Sequence, residues 1–499
     1  MAHSNNLKFI PFQALVLILI CFWSEFCTSR DTITSTQSIK DPEIIVSVGK
    51  TFKLGFFSPV NTTNRYVGIL DNIPVTTAVW VANRDKPLND SSGIVTISEG
   101  GNLVILNGQK EVIWSSNVSN PVANSSAQLL DTGNLVLRDN SSGRIIWESF
   151  QHPSNSFLQM MRLGTDAKKG EMTLLTSWKS PSDPSIGSFS AGVDPLSIPQ
   201  FFVWNGSHPY WRSGPWNGQV FIGVPVMYKL YSNGFNLVDD KKGTVDLTFS
   251  YANESIVSYI FLNNEGTLQE KYRFVAKEDW TVPWWGPENE CDVYGKCGPF
   301  GSCNSLDSPI CTCLNGFEPK HMEEWSRGNW SSGCIRKTPL QCERNNTINE
   351  KVKEDGFLKL ERVKVPDFEV WSPGLHDSCG SLCLNNCSCI AYSFYIGIGC
   401  MQWSGNLIDI QKFPDGGADV YIRVAYSELD EEKNMKTVLA IAISIGSITI
   451  AICAYYSWRW MAKQRGSMFK RVSSEVHTKV HCRQKPLLIS FNIRKEAEK

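Results

Sequence analysis

The sequence predicts a mainly β protein. Two β domains are followed by two small disulfide-rich units and one membrane-spanning helix. Three observations carry that class. A tryptophan-marked repeat of strand-like runs recurs through residues 30–150. Twelve of the 16 cysteines fall between Cys291 and Cys400. Residues 437–456, TVLAIAISIGSITIAICAYY, form the only long uncharged run outside the first 30 residues.

At the front, Lys8 precedes the short apolar stretch from Phe9 to Trp23, and Cys27-Thr28-Ser29 follows. A basic start, a short apolar core and a small-residue site make a secretory signal peptide over 1–29, cut near Ser29. An uncleaved anchor is the rival, but the run is short and Pro11 interrupts its start.

Residues 30–150 are expected to form one β domain. Val79-Trp80, Ile113-Trp114 and Ile146-Trp147 each close an alternating run, with the tryptophans 34 and 33 residues apart. GNLVIL at 101–106 returns as GNLVLR at 133–138, and Gly, Asn and Asp fill the intervals. Short strands with regular turns predict all-β structure. Three such units predict a pseudo-threefold arrangement, because one unit alone cannot bury its apolar face. Residues 151–280 are a second β-rich module without an obvious repeat. Asn263-Asn264-Glu265-Gly266 is its clearest hairpin turn.

The cysteine-rich units cover 287–336 and 342–424. Their cysteines are Cys291, Cys297, Cys303, Cys311, Cys313, Cys334, Cys342, Cys379, Cys383, Cys387, Cys389 and Cys400. An even set behind a signal peptide predicts disulfides. Zinc is the competing reading of Cys311-Thr-Cys313 and Cys387-Ser-Cys389. Secretory context and scarce histidine weigh against it, so neither metal nor cofactor is expected. Ser378 to Ala391 is expected to be a short helix carrying Cys379 and Cys383 on one face. Sequons stand at Asn61, Asn89, Asn117, Asn124, Asn140, Asn205, Asn253, Asn329, Asn345 and Asn386, all before the apolar run. They predict a glycosylated exterior.

The membrane helix is placed at 437–458. Twenty mostly apolar residues at 1.5 Å rise cross a hydrocarbon core of about 30 Å. Glu428, Asp430, Glu431 and Glu432 precede it, while Arg459, Lys463, Arg465, Lys470 and Arg471 follow. That is the positive-inside pattern, with the N-terminal region outside. The tail, 459–499, carries eleven Lys/Arg against three Glu, so the remainder of a chain of net charge −1 is acidic. An acidic exterior excludes nucleic acid as a partner class. The basic tail suits anionic lipid.

Several motifs closely resemble the plant S-locus glycoprotein and G-type lectin S-receptor-like kinase family. They are WVANRDKPL (80–88), WESFQHPSNSFLQMMRLG (147–164), SWKSPSDPSIGSFSAGVDP (177–195), YWRSGPWNG (210–218), CDVYGKCGPFGSC (291–303), CTCLNGFEPK (311–320), WSRGNWSSGCIRK (325–337) and CLNNCSCIAYSF (383–394). The resemblance implies tandem bulb-lectin-like β-prism domains, an EGF-like unit over 287–336 and an α+β PAN/apple unit over 342–424. It implies pairing of Cys291 with Cys303, Cys297 with Cys311, Cys379 with Cys400 and Cys383 with Cys389. Cys313–Cys334 and Cys342–Cys387 are then left. It implies a plasma-membrane type I receptor-like glycoprotein that binds a secreted peptide or microbial ligand. Pollen recognition, immunity and development are its implied roles, as a homodimer or with sister S-domain receptor kinases.

Two departures qualify this. Mannose-binding bulb lectins carry Gln-x-Asp-x-Asn-x-Val-x-Tyr, whose polar groups bond sugar hydroxyls. This chain has Ser98, Gly100, Asn102, Val104 and Leu106 in one repeat, and Leu130, Thr132, Asn134, Val136 and Arg138 in another. Asn102 and Asn134 are therefore expected to be turn or strand-end residues. Second, no Gly-rich phosphate loop, paired Lys, Asp-Phe-Gly or Ala-Pro-Glu follows the span. Asn83-Arg84-Asp85 with Asn89 imitates a kinase catalytic loop but precedes the span, and is expected to be a β-domain turn. No catalytic constellation appears, so the chain is expected to be non-enzymatic. The alternatives are a truncated S-domain receptor kinase and a carbohydrate-binding lectin.

Overall fold

A computed structural model describes residues 30–74, 77–166, 170–195, 197–228, 234–344 and 354–479. The signal-peptide expectation, Asn345 and the tail beyond 479 lie outside the described residues. Contacts divide the chain into one unit ending at Tyr426 and a second from Ser427.

The first β domain is built from three four-stranded antiparallel sheets. The first contains Ile44–Val46, Phe52–Phe57, Tyr66–Asp71 and Ala78–Val81. The second contains Ser38–Lys40, Ile94–Ile97, Leu103–Leu106 and Val112–Ser115. The third contains Thr32–Thr34, Ser125–Leu129, Leu135–Asp139 and Ile145–Glu148. The register repeats as well as the strands: Ile69 faces Trp80, Ile105 faces Trp114 and Leu137 faces Trp147. This brings the three tryptophans to one axis. Their ring centroids are 5.9, 6.0 and 5.8 Å apart, all edge-on. Edge-to-face packing lets each indole's positive rim meet another's negative face. Ile33, Ile39, Leu54, Ile69, Ile105 and Leu137 complete a core that no single sheet could close.

The second β domain repeats this plan without repeating the sequence pattern. Its sheets are Leu175–Ser180 with Asp183–Asp194, Gln200–Asn205 and His208–Pro215; Glu171–Met172 with Leu163–Asp166, Thr244–Thr248 and Asn236–Asp239; and Ser156–Leu158 with Ile256–Leu262, Leu268–Phe274 and Thr281–Gly286. The Asn263–Gly266 turn joins the 256–262 and 268–274 strands, with Asn263 Oδ1 accepting from Glu265 N and Thr267 N. The cores of the two domains form one connected apolar cluster.

The cysteine-rich units are not independent modules in space. One eight-stranded sheet runs through both, in the order Cys311–Cys313, Gly301–Cys303, Ile410–Lys412, Gly356–Lys364, Ala418–Val424, Ala391–Tyr395, Gly399–Trp403 and Val370–Ser372. The seam is parallel, with Ser302 opposite Ile410 and Cys303 opposite Gln411. Two units too small to bury much surface alone gain a shared sheet. The helix expected from Ser378 to Ala391 is shorter, Cys379–Asn385, because Ala391 opens a strand. It buries Cys379 and Cys383.

The helix Tyr426–Lys479, which makes up the described part of the second unit from Ser427 on, contains one stretch, Ile441–Lys463, of mean hydropathy 1.5 and no buried share. Ile441, Ile445, Ile448 and Ile452 are all exposed on it. Such a helix, long enough to cross and apolar with no protein cover, calls for lipid.

Candidate recognition surfaces and the joints that hold them

At the positions aligned with the sugar-binding motif of mannose lectins, the two asparagines are spent on bonds within the fold. Asn102 Oδ1 accepts from Ser116 Oγ at 3.0 Å and Val118 N at 2.8 Å. Asn134 Oδ1 accepts from Ser149 Oγ and Phe150 N, and its Nδ2 donates to Glu148 at 2.7 Å. Both asparagines thus tie one strand of a hairpin to the end of the next. The matching position of the first sheet is Tyr66, which is buried. Val104 and Val136 are buried as well.

Two arginines that nothing in the sequence singled out as functional join the domains. Arg84, from the kinase-like decoy, reaches into the second β domain. Its Nε donates to Pro184 O at 2.6 Å, Nη1 to Thr176 Oγ1 at 2.6 Å, and Nη2 to Thr176 O and Ser177 O at 3.1 and 2.8 Å. Burial pulls its pKa down to about 10, which still leaves it charged. On the same interface Tyr259 donates to buried Asp71 at 3.4 Å, and Arg273 lies over the Trp280 ring. Burial lifts the Asp71 carboxyl to about 7 against the pull of Arg273.

Arg212, in YWRSGPWNG, is fully buried where the second β domain meets the cysteine-rich sheet. Its Nε pairs with Asp409 Oδ2 at 2.7 Å; Nη1 donates to Gln200 Oε1 at 3.0 Å; Nη2 donates to Val365 O at 2.5 Å and Asp409 O at 3.0 Å. Buried Lys364 shares Asp409 at 2.9 Å. Gln200 Nε2 donates to Glu369 at 3.0 Å and Asp367 at 3.3 Å, and Tyr294 OH donates to Asp367 at 2.6 Å. Burial pushes Glu369 up to about 8, so at neutral pH it is mostly protonated. Burial pulls Arg212 down, yet the surrounding carboxylates outweigh it and hold its pKa above the usual value. A lone arginine between Trp211 and Ser213 in an aromatic strand was the only available signal. Another buried arginine, Arg423, pairs with Asp355 at 3.1 Å and donates to the carbonyls of Cys383, Asn386 and Cys389.

The cysteines form six disulfides: Cys291–Cys303, Cys297–Cys311, Cys313–Cys334, Cys342–Cys387, Cys379–Cys400 and Cys383–Cys389. The sulfurs of Cys297, Cys303 and Cys311 lie within 4.8 Å of one another. Each is tied in a disulfide, and a disulfide sulfur offers no thiolate to a metal. Of the sequons, Asn61, Asn89, Asn117, Asn124, Asn140, Asn205, Asn253, Asn329 and Asn386 are all exposed. At Asn253, Asn329 and Asn386 the Oδ1 accepts from the backbone N of the serine two residues on.

Among the described residues, two concave surfaces are roomy enough to receive a partner. A cleft of about 840 Å³ lies over the tryptophan axis, lined by Trp80, Trp114, Trp147, Arg144 and His152, with Thr176 and Ile186 of the second domain. A groove of about 630 Å³ runs between Trp216 and Leu237 of the second β domain and Trp371 and Ile398 of the cysteine-rich sheet.

Three family descriptions match the chain: D-mannose binding lectin over residues 77–179, S-locus glycoprotein domain over 211–321, and PAN-like domain over 342–410. Among curated proteins, a G-type lectin S-receptor-like serine/threonine-protein kinase of Arabidopsis thaliana is 45% identical over 90% of this chain and 55% of its own length. Two further Arabidopsis thaliana proteins of the same description are 42% and 44% identical over 96% and 93% of the chain. The chain spans 58% and 57% of their lengths, a little over half of each relative. A monomeric monocot mannose-binding lectin of Gastrodia elata is 24% identical over 24% of this chain and 96% of its own, with a TM-score of 0.20. The two-domain fetuin-binding agglutinin of Scilla campanulata is 13% identical over 51% of this chain and 100% of its own, with a TM-score of 0.18. Scores of that size add nothing to the fold described above.

Proposed function

This chain belongs to the plant S-locus glycoprotein and G-type lectin S-receptor-like family, and from that premise we propose that it is a recognition receptor of the plasma membrane. Its exterior binds an extracellular peptide or microbial ligand, or the exterior of a sister S-domain receptor kinase. Pollen recognition, immunity and development are the settings in which relatives of this kind suggest a role. The exterior acts as the recognition part of a receptor, and where it meets a sister receptor kinase it acts as co-receptor or as competitor. The observation that carries the proposal is the pair of buried joints. Arg84 and Arg212 tie two β-prisms and the cysteine-rich sheet together, so the exterior offers a fixed surface rather than independent beads. Preorganised surfaces bind without first losing that freedom. A membrane-held exterior also meets its sister receptor in one plane at high effective concentration.

A second reading follows from coverage, since the chain spans 55% of the first relative's length. A kinase domain joined beyond Lys499 would place the same exterior on a receptor kinase. Transcript sequence past the Lys499 codon separates the two. The functional test is the ligand-stimulated phosphorylation of a full-length sister receptor with and without this chain co-expressed. A change in that output of several fold is expected. Equal output at all expression ratios would refute the co-receptor reading.

A further inference from the structure

The crown of the first prism is closed by protein over two of its three repeats. Over the first, Arg84 bridges to the second domain and Trp80 Nε1 donates to His152 O at 2.8 Å. Over the third, the His152 ring stacks on Trp147, 5.6 Å between centroids and 13° between planes. Trp80 and Trp147 are accordingly buried to 6% exposure. The second repeat has no such cover among the described residues. Trp114 is only half-buried, and it lines the cleft over the axis together with Trp80 and Trp147.

The repeat register makes the difference specific. The residue three positions after the axial tryptophan is Asn83 in the first repeat, Asn117 in the second and Phe150 in the third. Asn83 is buried, with Oδ1 accepting from Val67 N at 2.8 Å. Phe150 packs against the core. Asn117 alone is exposed, stands in a left-handed turn with φ 46°, and belongs to a sequon, Asn117-Val118-Ser119. It lines the cleft itself. The cleft offers a sugar what sugars bind: an indole for the apolar ring face, and Arg144, Gln151 and Asn120 for the hydroxyls.

We propose that the N-glycan of Asn117 folds back into this cleft and covers Trp114, completing the crown that protein closes over the other two repeats. The occupant is the chain's own glycan rather than a foreign sugar. This rests on the exterior's passage through the secretory pathway. A glycan held in a cleft is shielded from trimming enzymes, whereas those on exposed asparagines outside the cleft, such as Asn89 and Asn205, are not.

The test is site-by-site glycopeptide mass spectrometry of the full chain from plant cells, with native endoglycosidase digestion alongside. Asn117 is expected to retain less-trimmed, mannose-rich glycans and to be released natively at least ten-fold more slowly than Asn89 and Asn205. Denaturation should abolish that difference. Ser119→Ala removes the glycan without touching Asn117. It should raise the acrylamide quenching that belongs to Trp114, read as the difference between matched proteins with and without Trp114→Phe, and Asn117→Gln serves if that variant folds poorly. An Asn117 glycan trimmed and released like the others overturns the inference, as does unchanged quenching. A bare Asn117 beside occupied neighbours overturns the inference alone. Bare asparagines at every sequon overturn the extracellular reading with it.

Discussion

Replacing Arg212 by leucine tests the joint between the second prism and the cysteine-rich sheet. The substitution removes four hydrogen bonds, to Asp409 Oδ2, Gln200 Oε1, Val365 O and Asp409 O. It leaves Lys364 alone against Asp367 and Asp409 in a buried cluster. Breaking a buried pair by deleting one partner costs about 3–5 kcal/mol, since the other charge stays desolvated. Arg212→Lys keeps the charge but not the planar fork, so it recovers only part of the loss. The assay is urea unfolding of the full chain, followed by tryptophan fluorescence and by limited proteolysis. Cleavage between the second prism and the cysteine-rich sheet, near residues 286–290, should precede any cleavage of the first prism. The double variant with Asp409→Asn should cost less than the sum of the two singles, as coupled residues do. A loss under about 1 kcal/mol for Arg212→Leu, or simple additivity with Asp409→Asn, would refute the joint's role.

Three further outcomes follow from the same geometry. Glu369 is raised to about 8 in the folded state, against an ordinary 4.5, so the folded chain holds that proton more tightly than the unfolded one. Its contribution is full below about pH 4.5 and is lost as pH rises through about 8; unfolding at pH 5.5 and 8.5 should differ by on the order of 3 kcal/mol, and Glu369→Gln should flatten that slope. A slope that Glu369→Gln leaves unchanged would show that another group sets it. All twelve cysteines from Cys291 to Cys400 should be recovered as disulfide-linked peptides in non-reducing maps, with no stoichiometric zinc, and two free thiols among them would contradict this. Mannose should fail to bind in calorimetry at millimolar concentration, because Ser98, Gly100 and Leu106, or Leu130, Thr132 and Arg138, stand where three polar partners worth about 1–3 kcal/mol each are required.

The first prism was legible because its three tryptophans sit at one register in three consecutive hairpins, so spacing along the chain reports symmetry in space. The second prism hid the same plan. Its strand Ser156–Leu158 pairs with Ile256–Leu262, a hundred residues on, and no residue type marks the equivalent positions. The shared sheet was illegible for a related reason: the Ser302–Ile410 pairing is parallel and long-range, and local patterns carry no trace of it. The joint residues were missed because a single arginine in a strand gives no periodic signal. Arg84 was noticed only as a false kinase motif, yet its guanidinium holds two domains together. Asn102 and Asn134 were expected at turns or strand ends, and the structure gives them bonds between strand ends.

In the proposed function, association with sister receptors belongs to the exterior and not to the tail. Two chimeras test it directly when co-expressed with a full-length S-domain receptor kinase. One keeps Asp31–Tyr426 and the span but replaces the tail after Arg459; the other keeps span and tail on an unrelated glycoprotein exterior. Co-precipitation is predicted to follow the exterior, with the tail-replaced chimera recovering the sister receptor as the natural chain does. Recovery by the chimera that keeps only span and tail, with none by its counterpart, would place association in the span or tail instead.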